Sequence, residues 1–207
     1  MEQLENRQAS DRYQKYLIQL QLDNTAYYLV WGTDLSDREE KDNLLIDSQR
    51  RILLFSRVEQ IRDWILEPAS PLFDAPNLVA WAETLTELTV SGVYDLDYLA
   101  SLMTSPLKEE QILQSPDITN DLIDFINLFG DYAYQLDDGE LVNLHRQPSV
   151  GLFFDYSYDT YFWKSSPDDL QRNHDLFRRA FQFTEFKDAM NRLLAVFIAR
   201  CHRVKIN

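Results

Sequence analysis

Carboxylates and tyrosines are the side chains in this sequence whose number and spacing could do chemistry. Asp95-Leu96-Asp97 offers two carboxylates that could hold Mg²⁺ together with a third, or serve as an acid and a base. Residues two apart on a helix face different ways. The pair therefore reads better as Asp95 capping a helix and Asp97 sitting in its first turn. A second set, Asp117, Asp121, Asp124 and Asp131, lies opposite an apolar helical stripe, with no Lys or Arg at i±4 to pair with. Such a set is either a solvated face or a surface that attracts cations. A third set lies in the run from Phe153 to Trp163, which holds seven aromatics in eleven residues. Tyr156, Tyr158 and Tyr161 alternate there with Ser, Thr and Asp. Two roles are open to them: core, or anchors for an Arg- or Lys-rich partner through hydrogen bonds and cation–π contacts. Trp163 ends the run and joins this candidate set.

Other chemistries lack their residues. The five glycines come no closer than nine positions apart, so neither a Walker A loop nor a dinucleotide fingerprint can be drawn. No G-x-S-x-G elbow exists. His145, His174 and His202 are too far apart for an H-E-x-x-H site, and the single Cys201 excludes zinc-finger spacing. His174, between Leu170 and Phe177, reads as a half-buried structural histidine. Cys201, in helical phase with Met190, Leu194 and Phe197, reads as a buried thiol. No catalytic residue, cofactor or metal is expected. The alternative that keeps an enzyme is a metal-dependent hydrolase built from clustered carboxylates.

The charge is unevenly spread. The formal net charge is -14, and from Glu59 to Glu140 there are 17 acids against Arg62 and Lys108. A field of this sign repels nucleic acid and anionic membrane surfaces. It attracts a basic protein and speeds its encounter. No stretch approaches the roughly 18 apolar residues of a membrane span. Met1 to Arg12 is polar and lacks the apolar region of a secretory leader. One cysteine builds no disulfide framework within the chain, and a cytoplasmic protein is the expectation.

The elements that must position these groups follow from periodicity. Tyr13–Leu22 and Ala26–Trp31 form a hairpin around Asp23-Asn24-Thr25. Leu44–Asp47 and Arg51–Phe55 form two short strands around Ser48-Gln49-Arg50. Ser56 and Glu59 make a capping box for a helix carrying Val58, Ile61, Trp64 and Ile65. Helices follow over 77–88, 96–103 and 107–113. The clearest runs from Pro116 to Leu136, capped by Ser115, with Leu122, Phe125, Ile126, Phe129, Ala133 and Leu136 in one stripe. Leu141–His145 and Phe153–Trp163 read as strands. Two helices, starting near Ser166 and Thr184, close the chain, with the basic Arg200–Lys205 stretch at the end of the second.

This pattern predicts an α+β fold: a small N-terminal antiparallel sheet followed by a mainly helical body. It predicts a single domain over 1–207, with a possible N-terminal subdomain over 13–67. An acidic field, no catalytic motif and aromatic patches together resemble the immunity proteins of bacterial toxin systems. So does the sheet-then-helix opening, YLIQLQLDNTAYYLVWG (Tyr16–Gly32) followed by LLIDSQRRILLFSRVEQIRDWI (Leu44–Ile65). The resemblance implies an inhibitor that occludes a basic toxin or nuclease. On that reading Asp117, Asp121, Asp124 and Asp131 steer the partner, and Tyr156, Tyr158, Tyr161 and Trp163 anchor it. A homo-oligomeric scaffold using the aromatic run is a further alternative, and the oligomeric state is left open.

Overall fold

Alternating apolar residues and a two-residue turn start the fold of the computed structural model, which describes residues 2–67, 71–106, 109–162 and 166–205. After helix α1 (Glu2–Tyr13), strands β1 (Lys15–Leu22) and β2 (Thr25–Thr33) pair antiparallel from Lys15↔Gly32 to Leu22↔Thr25. Asp23 and Asn24 both have positive φ, 54° and 55°. That is the turn whose twist matches the flanking strands, and Asp and Asn tolerate it. Strands β3 (Asp42–Leu44) and β4 (Ile52–Leu54) follow. Helices α2 (Val58–Leu66) and α3 (Ala75–Thr84) then lead to strand β5 (Val90–Asp95).

The sheet order is β3-β2-β1-β5, and β5 runs parallel to β1. The sheet is thus mixed rather than antiparallel throughout. Its parallel strand comes from a stretch that the sequence reading leaves among helices. A parallel neighbour requires a long crossover, and the chain between β2 and β5 supplies it. The α+β class itself holds. A second, two-stranded sheet pairs β4 in parallel with β6 (Cys201–Arg203). The last helix therefore stops at Arg200, and Cys201 lies in a strand rather than on the helix face.

The chain forms two compact units, residues 1–97 with 198–207, and residues 98–197. In the first, Leu17, Val30, Leu53, Phe55, Ile61, Ile65, Leu78 and Trp81 share one core. Helix α2 begins one residue later than a Ser56–Glu59 capping box would set it. Ser56 donates both its backbone N–H and its hydroxyl to Oε1 of Gln60, at 2.9 and 2.8 Å. The carboxamide four residues on does the work assigned to Glu59.

Lys15 is fully buried in this unit, and its ammonium meets three acceptors. It donates to the carbonyls of Tyr13 (2.9 Å) and Thr33 (2.6 Å) and to Asp74 Oδ2 (2.7 Å). Gly32 makes room for it, since a Cβ there would fall 2.8 Å from Lys15 Cδ and 2.2 Å from the Gln14 carbonyl. Asp74 holds a left-handed backbone (φ 42°, ψ 48°) ahead of α3 and also accepts from Asn77 and from the Leu35 amide. Every donor of the ammonium is satisfied, which is what keeps a buried charge tolerable. Asp97 sits in the first turn of α4 (Leu96–Thr104), as expected, and also accepts the amides of Asp23 and Asn24 at 3.0 and 2.8 Å, so it holds the hairpin turn as well. Asp95, expected as a helix cap, is the last residue of β5 and directly precedes α4.

The second unit is helical. It begins within α4 (Leu96–Thr104) and continues through α5 (Glu109–Leu113), α6 (Pro116–Gln135), α7 (Gly139–His145), α8 (Pro148–Ser157), a π-helical turn (Tyr158–Phe162), α9 (Pro167–Ala180) and most of α10 (Phe183–Arg200). Both stretches read as strands, 141–145 and 153–163, are helical where described. The buried residues of α8 are Ser149, Val150, Phe153 and Ser157, a spacing of three to four. The period-two sequence Phe154-Tyr156-Tyr158 therefore does not mark the buried face, and Pro148 at the first turn starts a helix. Phe125, Phe129, Tyr132 and Phe197 form one aromatic cluster, and Phe153, Phe177, Phe181 and Phe186 another. Among the described residues no helix is long and apolar enough to cross a membrane.

Candidate partner-binding site

Helix α6 positions the four candidate aspartates. Ser115 caps it by accepting the Ile118 amide, with Pro116 in the first turn, as the sequence predicts. Its apolar stripe, including Leu122, Phe125, Ile126, Phe129 and Ala133, is buried. That burial turns the opposite face outward: Asp117, Asn120, Asp121, Asp124, Asn127 and Tyr134 are exposed, and Asp131 is half-buried. These positions recur every three or four residues, so they form one continuous polar strip along the helix.

The strip is electrostatically one-sided. From Glu109 to His145, a stretch that spans α5, α6 and α7, there are nine acids and no Lys or Arg. Asp117 sits in the first turn, where the helix dipole favours it. Asp124 does not have that benefit. Partial burial, and then the neighbouring Asp121 carboxylate, hold its pKa above the usual carboxylate range. The charges on this face repel one another, and a cation brought to it would relieve that repulsion.

At the C-terminal end of the strip the chain supplies its own guanidinium. Arg146 donates from Nε to the Tyr134 hydroxyl at 3.0 Å and lies 5.5 Å from the ring centroid. The strip can thus hold an arginine through a phenol and its π face together. Beneath it, His145 stacks on Phe129 and crosses Gly130 so closely that a Cβ there would lie 2.8 Å from Nε2. Burial holds the His145 pKa below the ordinary imidazole value, against the opposing effect of a bond to the Ile126 backbone.

The tyrosines take a different role from the aspartates. Tyr156 stacks on Phe177, with ring centroids 4.1 Å apart, and its hydroxyl shares a hydrogen bond with His174 Nδ1 at 2.9 Å. Tyr158 stacks on Phe154. Tyr161 donates its hydroxyl to the Leu113 carbonyl, and burial raises its pKa. All three are half-buried, and Tyr156 and Tyr161 tie α8 and the π-helical turn to their neighbours. Trp163 lies outside the described residues. The aspartates thus share one helix face, and the tyrosines sit on a separate element, with Tyr156 and Tyr161 bonded inward.

A shallow groove of about 290 Å³ lies beside Tyr156. Leu152, Phe177 and Ala180 contribute its apolar part, with Leu176, which is 56% exposed. Asp155 and Asp159, one helical turn apart, stand along it, and Asn173 donates to Asp159 at 3.2 Å. Sequence reasoning missed this groove, because a strand over 153–163 sets Asp155 and Asp159 four residues apart along an extended chain rather than on adjacent turns. It also missed Asn120, Asn127 and Tyr134, although the i+3 and i+4 continuation of the aspartate series points to each.

Among the described residues no three His, Cys, Asp or Glu side chains lie close enough together to share a metal ion. Cys201, half-buried in β6, has its thiol pKa pushed up by burial to about 12, which leaves it a poor nucleophile.

No family model and no curated protein matches the chain. Among solved structures it is similar to the SatS C-terminal domain, solved in complex with bromine. The identity is 16%, with 94% of this chain and 96% of that chain covered and a TM-score of 0.58. At that identity the likeness is one of fold.

Proposed function

We propose that this protein binds a basic protein partner, and that it acts as an immunity or inhibitor protein that occludes a basic toxin or nuclease. One observation carries the reading. The exposed face of α6 is a strip of Asp and Asn ending in a tyrosine, within 37 residues that contain nine acids and no Lys or Arg. A helix that served structure alone would gain from i,i+4 cations on such a face. Here the self-repulsion at Asp121 and Asp124 is kept. A cationic surface would be steered to the strip and would neutralise it, raising the association rate in a salt-dependent way. The contact of Arg146 with Tyr134 supports the chemistry, since it shows an arginine held by this end of the helix.

Affinity capture on the tagged protein from its native organism, washed at low and at high salt and read by mass spectrometry, tests this. The expected result is one stoichiometric basic protein, retained at low salt and released at high salt. Recovery of the bait alone under both washes would contradict it.

A further inference from the structure

A cleft of about 200 Å³ lies against helix α2 in the first unit. Arg57, Gln60, Asp63, Trp64 and Glu67 line it from α2 and its two caps. They recur every three or four residues, so they share one helix face. Val204 and Lys205, just after β6, line it from the other side. The floor is fixed. Gln60 is 7% exposed, accepts from Ser56 at 2.9 and 2.8 Å and donates to the Val204 carbonyl at 3.3 Å. Trp64 is half-buried and packs edge-on to Phe55. Around this floor stand four exposed charges, two of each sign. Among the described residues no ion pair and no side-chain hydrogen bond engages Arg57, Asp63, Glu67 or Lys205. Neighbouring cations are committed elsewhere: Arg51 pairs with Asp47 at 2.7 Å and Arg203 with Asp23. Arg62, beside Asp63, does not line the cleft and buries its Nε.

Two of these charges oppose the helix that carries them. Arg57 fills the N-cap of α2, where the dipole favours an anion, and its side chain makes no capping hydrogen bond. Glu67 fills the C-cap, where a cation is favoured. Helix stability alone selects the opposite signs. A cation drawn to Asp63 and Glu67 meets Arg57 and Lys205, and an anion meets the reverse conflict. A neutral ligand gains from none of the four. A zwitterion engages both signs. Arg57 and Asp63 are six residues apart, about 9 Å of helix rise, so the poles suit a molecule longer than one amino acid. A dipeptide spans roughly 7 Å when extended, and the long Arg57 side chain covers the remainder. The volume of about 200 Å³ admits that size and excludes larger ligands. We infer that the cleft along α2 binds a short peptide by its two free ends, Asp63 and Glu67 taking the ammonium and Arg57 and Lys205 the carboxylate. Helix α6 belongs to the other unit, so this site and the acidic strip stand or fall separately.

The test titrates the full chain with dialanine, with N-acetyl-dialanine and with dialanine amide, read by NMR at the Trp64 indole and the Gln60 carboxamide. Dialanine with both ends free should bind. Blocking either end should weaken it about tenfold, the effect of losing one charge-assisted hydrogen bond. Arg57→Ala combined with Lys205→Ala should erase the preference for a free carboxylate and keep that for a free amine. Asp63→Asn combined with Glu67→Gln should do the reverse. All four positions are exposed, and thermal melts matching the wild type would establish that the variants fold. Three outcomes would overturn the assignment: no shift of the Trp64 and Gln60 resonances at tens of millimolar dialanine, equal binding of the three peptides, or preferences that both double variants leave in place.

Discussion

Replacing Asp124 with asparagine should stabilise the protein at neutral pH while weakening its attraction for cations. The carboxyl pKa is raised in the folded state, first by partial burial and then by Asp121. A raised acid binds its proton more readily folded than unfolded. Its favourable contribution is therefore present at low pH and is lost as the pH rises through the folded pKa. At neutral pH the ionised group works against folding. Part of the side chain still faces solvent, so the repulsion from Asp121, three residues earlier, is that of a surface pair, roughly 0.2–0.5 kcal/mol. For a chain of this length, that converts to a rise in Tm on the order of 1 °C. Calorimetric melts of wild type and Asp124→Asn at low and high salt would measure it. The gain should shrink at high salt, where the screening length falls to about 3 Å at 1 M. It should vanish in acid, where Asp124 is protonated in both states. A variant less stable than wild type, or a gain that ignores both salt and pH, would refute the view that this helix face is held in repulsion.

Lys15→Met should destabilise by about 3–5 kcal/mol, because it strands the Asp74 carboxylate in a site where Lys15 and Asp74 are 0% and 1% exposed. Urea unfolding with an unchanged midpoint would contradict the assignment of that pair. Burial lowers the pKa of His145 in the folded state. The unfolded chain takes up the proton first, so stability should fall as the pH drops through the ordinary imidazole range, and a His145→Gln variant should lose less over the same interval. Identical pH profiles for the two proteins would count against it. Cys201, with its thiol pKa pushed up to about 12, should resist iodoacetamide at neutral pH in the native protein and react after denaturation. Rapid native alkylation, read by mass spectrometry, would show that burial does not protect it.

The parts of this molecule that are legible in its sequence are those governed by local signals. Asp23-Asn24 between two alternating strands specifies a hairpin without outside help, and Ser115-Pro116 followed by an apolar stripe specifies α6. The aspartate strip follows from α6 directly, since burying one face of a helix exposes the other. The parts not legible depend on distant partners. Strand β5 is six residues with Gly92 inside it, and it forms only because β1, more than sixty residues earlier, offers a parallel edge. Strand β6 directly follows the last helix in a basic stretch and is drawn out of helical geometry by its pairing with β4. In 153–163 the aromatics are so dense that both periods fit, and Pro148 and the buried set Val150, Phe153 and Ser157 decide for helix. The buried Lys15 has no sequence signature, because a lysine opening a strand normally reads as solvated. The groove stayed hidden for the same reason as α8: only once that segment is helical do Asp155 and Asp159 share a wall.

Parallel capture on wild type and on a variant with Asp117, Asp121 and Asp124 all changed to Asn tests whether the acidic face of α6 draws the partner in. Asp131, half-buried, is left in place so that the fold is not disturbed. One basic protein should be bound at unit stoichiometry to the wild type at low salt and strongly depleted on the variant, with both baits giving matching circular dichroism. Equal recovery of the same partner on both would contradict the acidic face of α6 as the surface that draws it in.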